Sequence, residues 1–265
     1  MRKTNIMPKI SVVTICRNAE QLIAETMKSV LSQSYKNIEY IVIEGKSRDK
    51  TLDIIHSTAK DYPDRSIKIV SEPDEGIADA MNKGVRLATG DVIAHLHAGD
   101  RYIDNNVIEE VMKSYQENAW RWGVAGSIVV DHAGNERHIY KANPDYRTLL
   151  KKNCIPHQST FLVKDIFDKH GLFKVEYKQA MDYEYWLRIT FKGGERFTLL
   201  PFNTTYFLNG GKSSNIFELL KYLRMLRSSM HEYGCDVTVL DDFVFLSRVM
   251  AFYVFNELKK KLSML

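Results

Sequence analysis

Along residues 10–115 the chain switches repeatedly between two hydrophobic periods. Ile10–Ile15 is a continuous β-branched apolar run, which suits a strand buried on both faces. Leu22, Ile23, Met27, Val30 and Leu31 then recur at helical spacing. Tyr40–Glu44 reads as a second strand, and Ser47 as the N-cap of a helix carrying Leu52, Ile54 and Ile55. Ile67–Val70 is a third strand. Ile77, Ala80, Met81, Gly84, Val85 and Ala88 form a helical stripe, with Gly90 placed as its C-cap. Val92–Leu96 is a fourth strand, and Val107, Ile108, Val111, Met112 and Tyr115 mark the next helix. Strands alternating with helices imply βαβ units and an α/β fold with a largely parallel sheet.

The second half has a different rhythm. Gly126–Val130 and Glu136–Tyr140, joined by Asp131-His132-Ala133-Gly134, suggest a hairpin. Ser159–Val163 reads as a strand, Tyr183–Ile189 as a helix with Trp186 buried, and Thr198–Leu200 and Thr204–Phe207 as short strands. From Ile216 onward the pattern is helical: Leu219, Leu223, Leu226 and Met230 share one face, with Lys221, Arg224 and Arg227 off it. A last helix is expected over Asp241–Lys261.

In parallel α/β sheets ligands bind beyond the carboxyl ends of the strands. That rule selects four polar stretches: Thr14–Asn18, Glu44–Asp49, Glu72–Gly76 and His97–Asp100. No GxGxxG follows the first strand, where Cys16-Arg17-Asn18-Ala19 stands, and no Walker A loop is present. A diphosphate bound here needs a metal ion or basic side chains instead.

Composition narrows the partners. The 265 residues are 45% hydrophobic and 26% charged, ordinary for a globular chain rather than a disordered one. The net charge of +4 lacks the concentrated basic stripe of a nucleic-acid binder, so nucleic acid is not expected as a partner. The three cysteines, Cys16, Cys154 and Cys235, are too scattered for a disulfide framework or a CxxC zinc site. Residues 1–9 lack a signal-peptide apolar run, and Val249–Phe255 is too short to span a bilayer, so a cytoplasmic location is expected.

Isolated residues leave their roles open. Asp100 is placed to hold Mg²⁺ or Mn²⁺, or to act as a turn aspartate. Asp182 and Glu184 suit either a general base or first-turn carboxylates beside a helix dipole. His157 stands before a strand, and Gly210-Gly211-Lys212-Ser213 reads as a turn or as a phosphate-binding run.

The ordered set is more specific than any member. Ile10-Ser11-Val12-Val13-Thr14-Ile15-Cys16-Arg17-Asn18, Glu44-Gly45-Lys46-Ser47-Arg48-Asp49, Ser71-Glu72-Pro73-Asp74-Glu75-Gly76-Ile77-Ala78-Asp79-Ala80-Met81-Asn82-Lys83-Gly84, His157-Gln158-Ser159-Thr160-Phe161 and Asp182-Tyr183-Glu184-Tyr185-Trp186-Leu187-Arg188 occur in sequence. Over residues 8–215 the chain resembles the family 2 glycosyltransferases of the GT-A fold, of the bacterial surface-polysaccharide type. The resemblance implies a Rossmann-like, mixed but mostly parallel sheet flanked by helices. It implies a catalytic domain over 1–215, and the helical pattern beyond it reads as a C-terminal extension over 216–265. It also implies inverting transfer of a sugar from a nucleotide-sugar donor, a UDP-sugar, to a hydroxyl of a glycan or polyprenyl-diphosphate-linked acceptor. Thr14, Asn18, Glu44, Gly45, Asp74, Asp79 and Lys83 would bind the donor. His157, Gln158, Gly210, Gly211, Lys212 and Ser213 would serve the acceptor or diphosphate. Asp182 would be the base, and Asp100, with His97, would bind Mn²⁺ or Mg²⁺.

The chain departs from the family at His97 and Gly99, where acids often stand, and at Glu44, Lys46 and Lys50, where Asp and glycines are frequent. A non-catalytic nucleotide-sugar-binding protein is therefore the alternative; a nucleotidyltransferase needs a basic, glycine-rich segment after the first strand, which Cys16-Arg17-Asn18-Ala19 does not supply. For the tail, packing against the domain or in a homo-oligomer competes with peripheral contact of Lys221, Arg224, Arg227 and Lys259–Lys261 with an anionic bilayer.

Overall fold

The computed structural model describes residues 7–131, 133–178, 180–208 and 216–238, with positions 240–244, 246–247, 250–251 and 254 beyond them. The first half is β1 (Ile10–Cys16), α1 (Ile23–Leu31), β2 (Ile38–Glu44), α2 (Thr51–Lys60), β3 (Ser66–Ser71), α3 (Ile77–Leu87), β4 (Val92–His95), β5 (Arg101–Tyr102) and α4 (Val107–Asn118). The hairpin β6 (Trp122–Val130) and β7 (Glu136–Tyr140) follows. Then come β8 (Thr160–Val163), α5 (Lys164–His170), α6 (Met181–Leu187) with a π-helical turn over Arg188–Lys192, β9 (Thr198–Leu208) and α7 (Ile216–Glu232).

The strands form one nine-stranded sheet in the order β3-β2-β1-β4-β8-β6-β9-β5, with β7 also on β6. Strands β1 to β4 are mutually parallel. Beyond β4 the sheet is mixed, since β8 runs antiparallel to both β4 and β6, while β6 and β9 are parallel. Alternate residues of β1 and β2 feed opposite cores, as a period of two requires. Val12, Tyr40 and Val42 pack with Ile23, Met27, Ile55 and Val111. Val13, Ile41 and Ile43 pack with Met81, Val85, Trp186 and Leu226. Helix α3 lies directly on β1 because residue 84 is glycine, where a Cβ would collide with the Val13 side chain.

Three local signals are overridden by tertiary contacts. Ser47 does not cap α2; the helix starts after Lys50, and Ser47 Oγ instead accepts the Asn18 N–H at 2.8 Å. Gly90 is not a C-cap, a position held by Ala88; it is needed because a Cβ there would crowd Ser11. Thr198–Leu208 is one strand rather than two, and Pro201 lies where the β6–β9 register slips, so no regular ladder bond is lost.

Helix α7 is packed into the same core as α6. Leu226 and Met230 are buried, and Tyr177 Oη lies within hydrogen-bond distance of Ser229 Oγ. Lys221 and Arg224 are exposed, but Arg227 turns inward to pair with Asp242 and donate to the Leu150 carbonyl, so it does not face outward with them. The side chains of Leu219 and Leu223, and residues 255–265 of the expected last helix, lie outside the described residues. No helix among those described is long and apolar enough to cross a membrane.

Candidate active site

Strand order reverses at β1, between β2 on one side and β4 on the other, and a cavity of about 800 Å³ opens at their carboxyl ends. All four stretches selected by topology contribute: Cys16, Arg17 and Asn18 after β1; Arg48 after β2; Asp74 and Gly76 after β3; His97 and Ala98 after β4. Ile77 also lines this cavity and is exposed there, rather than joining the buried stripe of α3.

The first two loops clasp each other. Asn18, in the left-handed region at φ 50°, donates its N–H to Ser47 and accepts the Arg48 N–H at 2.9 Å. Ala19 N–H donates to Thr51 Oγ1 at 2.7 Å, and Lys50 N–H to Glu20 at 3.0 Å. Glu44 anchors the clasp from below, accepting Ser47 N–H and Ser71 Oγ–H. Burial pushes its carboxyl up, but these hydrogen bonds outweigh burial and hold it below the usual glutamate range.

Gly45 permits a close approach. A Cβ there would collide with Asp74 Oδ2, while Asp74 Oδ1 accepts the Gly76 N–H at 3.0 Å. Lys83 pairs with Glu72 at 3.0 Å and Asp79 at 3.3 Å and donates to the Pro73 carbonyl. Lys83 and Asp79 thus brace the loop that presents Asp74. Thr14 is fully buried: its hydroxyl donates to the Leu96 carbonyl at 2.7 Å and accepts from Tyr40 at 2.9 Å, fixing the ends of β1 and β4 from within. Cys16 borders the cavity, yet burial, reinforced by Glu44, Asp49 and Asp74, pushes its thiol up to about 12 and leaves it unreactive.

Asp100 sits on the other side of Leu22, in an adjoining cavity of about 170 Å³ shared with Glu25, Asp131 and Tyr206. Its Oδ1 accepts the Leu208 N–H at 3.3 Å, and burial pushes its carboxyl up to about 7. Asp100 pairs with no cationic side chain among the described residues. That suits a hard cation, which takes one or two protein carboxylates and completes its shell with substrate oxygens. No group of three His, Cys, Asp or Glu side chains among the described residues is placed to hold a metal by itself. His97 packs against His157, with ring centroids 5.2 Å apart.

Asp182 opens α6, partly buried, with Oδ2 accepting from Asn153 at 3.0 Å and Oδ1 from Tyr183 N–H at 2.7 Å. Burial raises its pKa against the pull of those bonds. Its neighbour Glu184 is wholly buried and structural: both oxygens take Arg188, at 2.9 and 3.0 Å, and Tyr233 donates to the same carboxylate. Gln158 faces inward, donating to Ser127 at 2.9 Å. Gly210, Gly211, Lys212 and Ser213 lie outside the described residues. Arg17, Arg48 and Ile77 belong to the cavity although no motif marked them as binding residues. His95, one turn of the pleat before His97, had no signal because it reads as strand interior.

The architecture has counterparts of known structure. Staphylococcus aureus TarS, solved with UDP-GlcNAc, matches with a TM-score of 0.71 at 16% identity, over 92% of this chain and 73% of that one. The mannosyltransferase PcManGT of Pyrobaculum calidifontis, solved with GDP-Man and Mn²⁺, matches at 0.65 and 15% identity, over 94% and 76%. At these identities the likeness establishes the GT-A glycosyltransferase fold. Sequence relatives include an uncharacterised glycosyltransferase of Mycobacterium tuberculosis, 29% identical over 187 residues, 68% of each chain. A PGL/p-HBAD biosynthesis glycosyltransferase of Mycobacterium bovis is 28% identical over 181 residues, 68% of this chain and 69% of its own. The glycosyl transferase family 2 model matches residues 11–167, more than half of the chain, and the protein belongs to that family.

Proposed function

We propose that this glycosyltransferase moves a sugar, with inversion, from a UDP-sugar to a hydroxyl of a glycan or lipid-linked acceptor in cell-surface polysaccharide biosynthesis. The observation that carries the donor site is the cavity of about 800 Å³ at the β1–β4 reversal, large enough for a nucleotide sugar. UDP-GlcNAc in TarS and the PGL biosynthesis relatives support the donor and acceptor classes.

Asn18, Asp74 and Arg48 border the nucleoside end, with Gly45 giving Asp74 its room and Glu44, Asp79 and Lys83 holding the loops. Asp182 accepts the proton of the acceptor hydroxyl as that oxygen forms its bond to the anomeric carbon. The bond from that carbon to the diphosphate breaks in the same step, and its electron pair leaves on the diphosphate oxygen. Asn153 holds the Asp182 carboxylate in place. Asp100 would hold Mg²⁺ or Mn²⁺, which when bound offsets the negative charge gathering on the leaving diphosphate.

Exposed Leu240, Phe243, Leu246, Met250 and Val254, together with Arg248 and Lys259–Lys261 in the sequence, support peripheral contact with the anionic inner face of the cytoplasmic membrane. A second copy of the chain covering the same residues is the competing partner.

The test is incubation with UDP- and GDP-sugars, Mn²⁺ and polyprenyl-diphosphate-linked acceptors, with and without EDTA, and the anomeric configuration of the product read by NMR. Transfer with inverted configuration is expected. Tight nucleotide binding with neither hydrolysis nor transfer would make the protein a non-catalytic binder, and a retained configuration would end the single-displacement scheme.

A further inference from the structure

We propose that His97 and His157, backed by His95, form the subsite that reads the hydroxyl groups of the transferred sugar, an assignment that rests on the donor cavity proposed above. The three rings gather where the sheet changes from parallel to antiparallel. β4 ends at His95, His97 follows on the same side, and His157 stands just before β8, which pairs antiparallel with β4. Ring centroids are 5.2 Å apart for His97–His157, 5.4 Å for His95–His157 and 6.2 Å for His95–His97.

Five buried ring nitrogens without a partner gather on these three touching rings. Both ring nitrogens of His97, both of His157, and Nε2 of His95 are shut from solvent without a hydrogen-bond partner. The other nitrogen of His95 is taken by the Met81 backbone. The next two polar residues after His157 are satisfied, since Gln158 donates to Ser127 and Ser159 donates to the Gly126 carbonyl at 3.0 Å, while Trp186 Nε1, on the ring beside His157, is also without a partner. Buried polar atoms are nearly always paired, so a cluster left open beside a cavity points to a ligand that completes it.

The chemistry of the open atoms selects the ligand. A neutral imidazole offers one N–H donor and one acceptor, as a sugar hydroxyl does. Burial lowers His97 to about 3 and His157 to about 4, so both are uncharged near neutrality and ill-suited to an anionic diphosphate. The rings are not disposed to share a metal ion, since no set of three such side chains among the described residues is.

Position fits the same ligand. His97 lines the donor cavity. His157 packs on Trp186, with centroids 6.0 Å apart, one helical turn beyond Asp182 on α6. The pair therefore bridges the interval between the donor cavity and the helix of the proposed base, which the sugar must occupy for in-line attack.

The test compares wild type with His97→Phe and His157→Phe, which keep a ring and remove its nitrogens. Titration calorimetry with Mn²⁺ uses UDP against UDP-glucose and UDP-GlcNAc, and GDP against GDP-mannose. Each variant should bind the diphosphates within about twofold of wild type but lose about tenfold or more in affinity for the nucleotide sugar that wild type prefers. It should also melt at a higher temperature, because an apolar ring replaces unpartnered polar atoms. His157→Gln, which restores a donor and an acceptor, should recover part of the loss. Equal loss for diphosphate and nucleotide sugar would overturn the proposal, as would unchanged sugar binding with a lowered melting temperature. Wild type that binds diphosphates while gaining nothing from any sugar would overturn the proposal alone. Wild type that binds none of the five probes would overturn the donor cavity as well.

Discussion

The loops after β1 and β2 direct their polar groups at each other, whereas the histidines at the β4–β8 seam leave five ring nitrogens without a partner. In the first cluster Asn18, Ser47, Arg48, Glu44 and Ser71 are joined by hydrogen bonds across the loops. In the second, His95, His97 and His157 leave ring nitrogens open although buried. Asn18 and Arg48 of the first cluster and His97 of the second line the same cavity. The difference separates what keeps the site in shape from what is held ready for a ligand, so substitutions in the two should move different observables.

The largest expected effect is on catalysis alone. Asp182→Asn should lower transfer by about 10²–10⁴-fold, the usual span for losing a general base, while calorimetric donor binding is retained. Full activity would remove Asp182 from the mechanism. The acid limb of the rate profile should titrate above the ordinary aspartate value, because burial raises this carboxyl and only its ionised form takes a proton. The raised folded-state pKa also means that ionisation weakens folding as pH climbs past the unfolded value. Asp182→Asn should therefore melt higher than wild type at neutral pH and lose that advantage in acid, a result readable by thermal denaturation.

Removing a group that the fold itself uses should do the opposite. Arg188→Met leaves the wholly buried Glu184 carboxylate with only Lys174, at 3.6 Å, as a cationic partner and should cost about 3 kcal/mol in denaturant titrations. Glu44→Ala leaves Ser47 N–H and Ser71 Oγ without their acceptor and should cost about 1–3 kcal/mol, with weaker donor binding as the clasp loosens. A Glu44→Ala protein as stable as wild type would break the contrast between the clusters. The smallest effect belongs to the surface. Phe243→Ser with Leu246→Ser should reduce co-sedimentation with phosphatidylglycerol vesicles about tenfold without changing turnover of a soluble acceptor. A shift from dimer to monomer instead would assign these residues to a second copy.

The parallel half was legible because its signals are strong and local. Ile10–Ile15 cannot avoid burial, and strand–helix alternation places the four loops at one edge before any contact is known. Capping residues were less readable: Ser47 and Gly90 carry ordinary cap chemistry, yet contacts with Asn18 and Ser11, distant in sequence, claim them first. Thr198–Leu200 and Thr204–Phe207 read as two strands because the register slip around Pro201 cannot be seen in one chain. The motif residues of the site were visible individually, but Thr14 was expected in the pocket and is turned inward by Leu96 and Tyr40. Arg17, Arg48 and Ile77 enter the cavity only through the geometry of three loops at once.

The hairpin offers a remote handle on the chemistry. Tyr140, at the end of the largely exposed β7, donates to the Asn153 carbonyl at 3.1 Å, and Asn153 in turn holds Asp182 at 3.0 Å. A solvent-facing strand is thus two hydrogen bonds from the proposed base. For directed evolution, libraries on β7 are expected to tune proton transfer at Asp182 without entering the proposed donor cavity, in a segment where surface variation is cheap for folding.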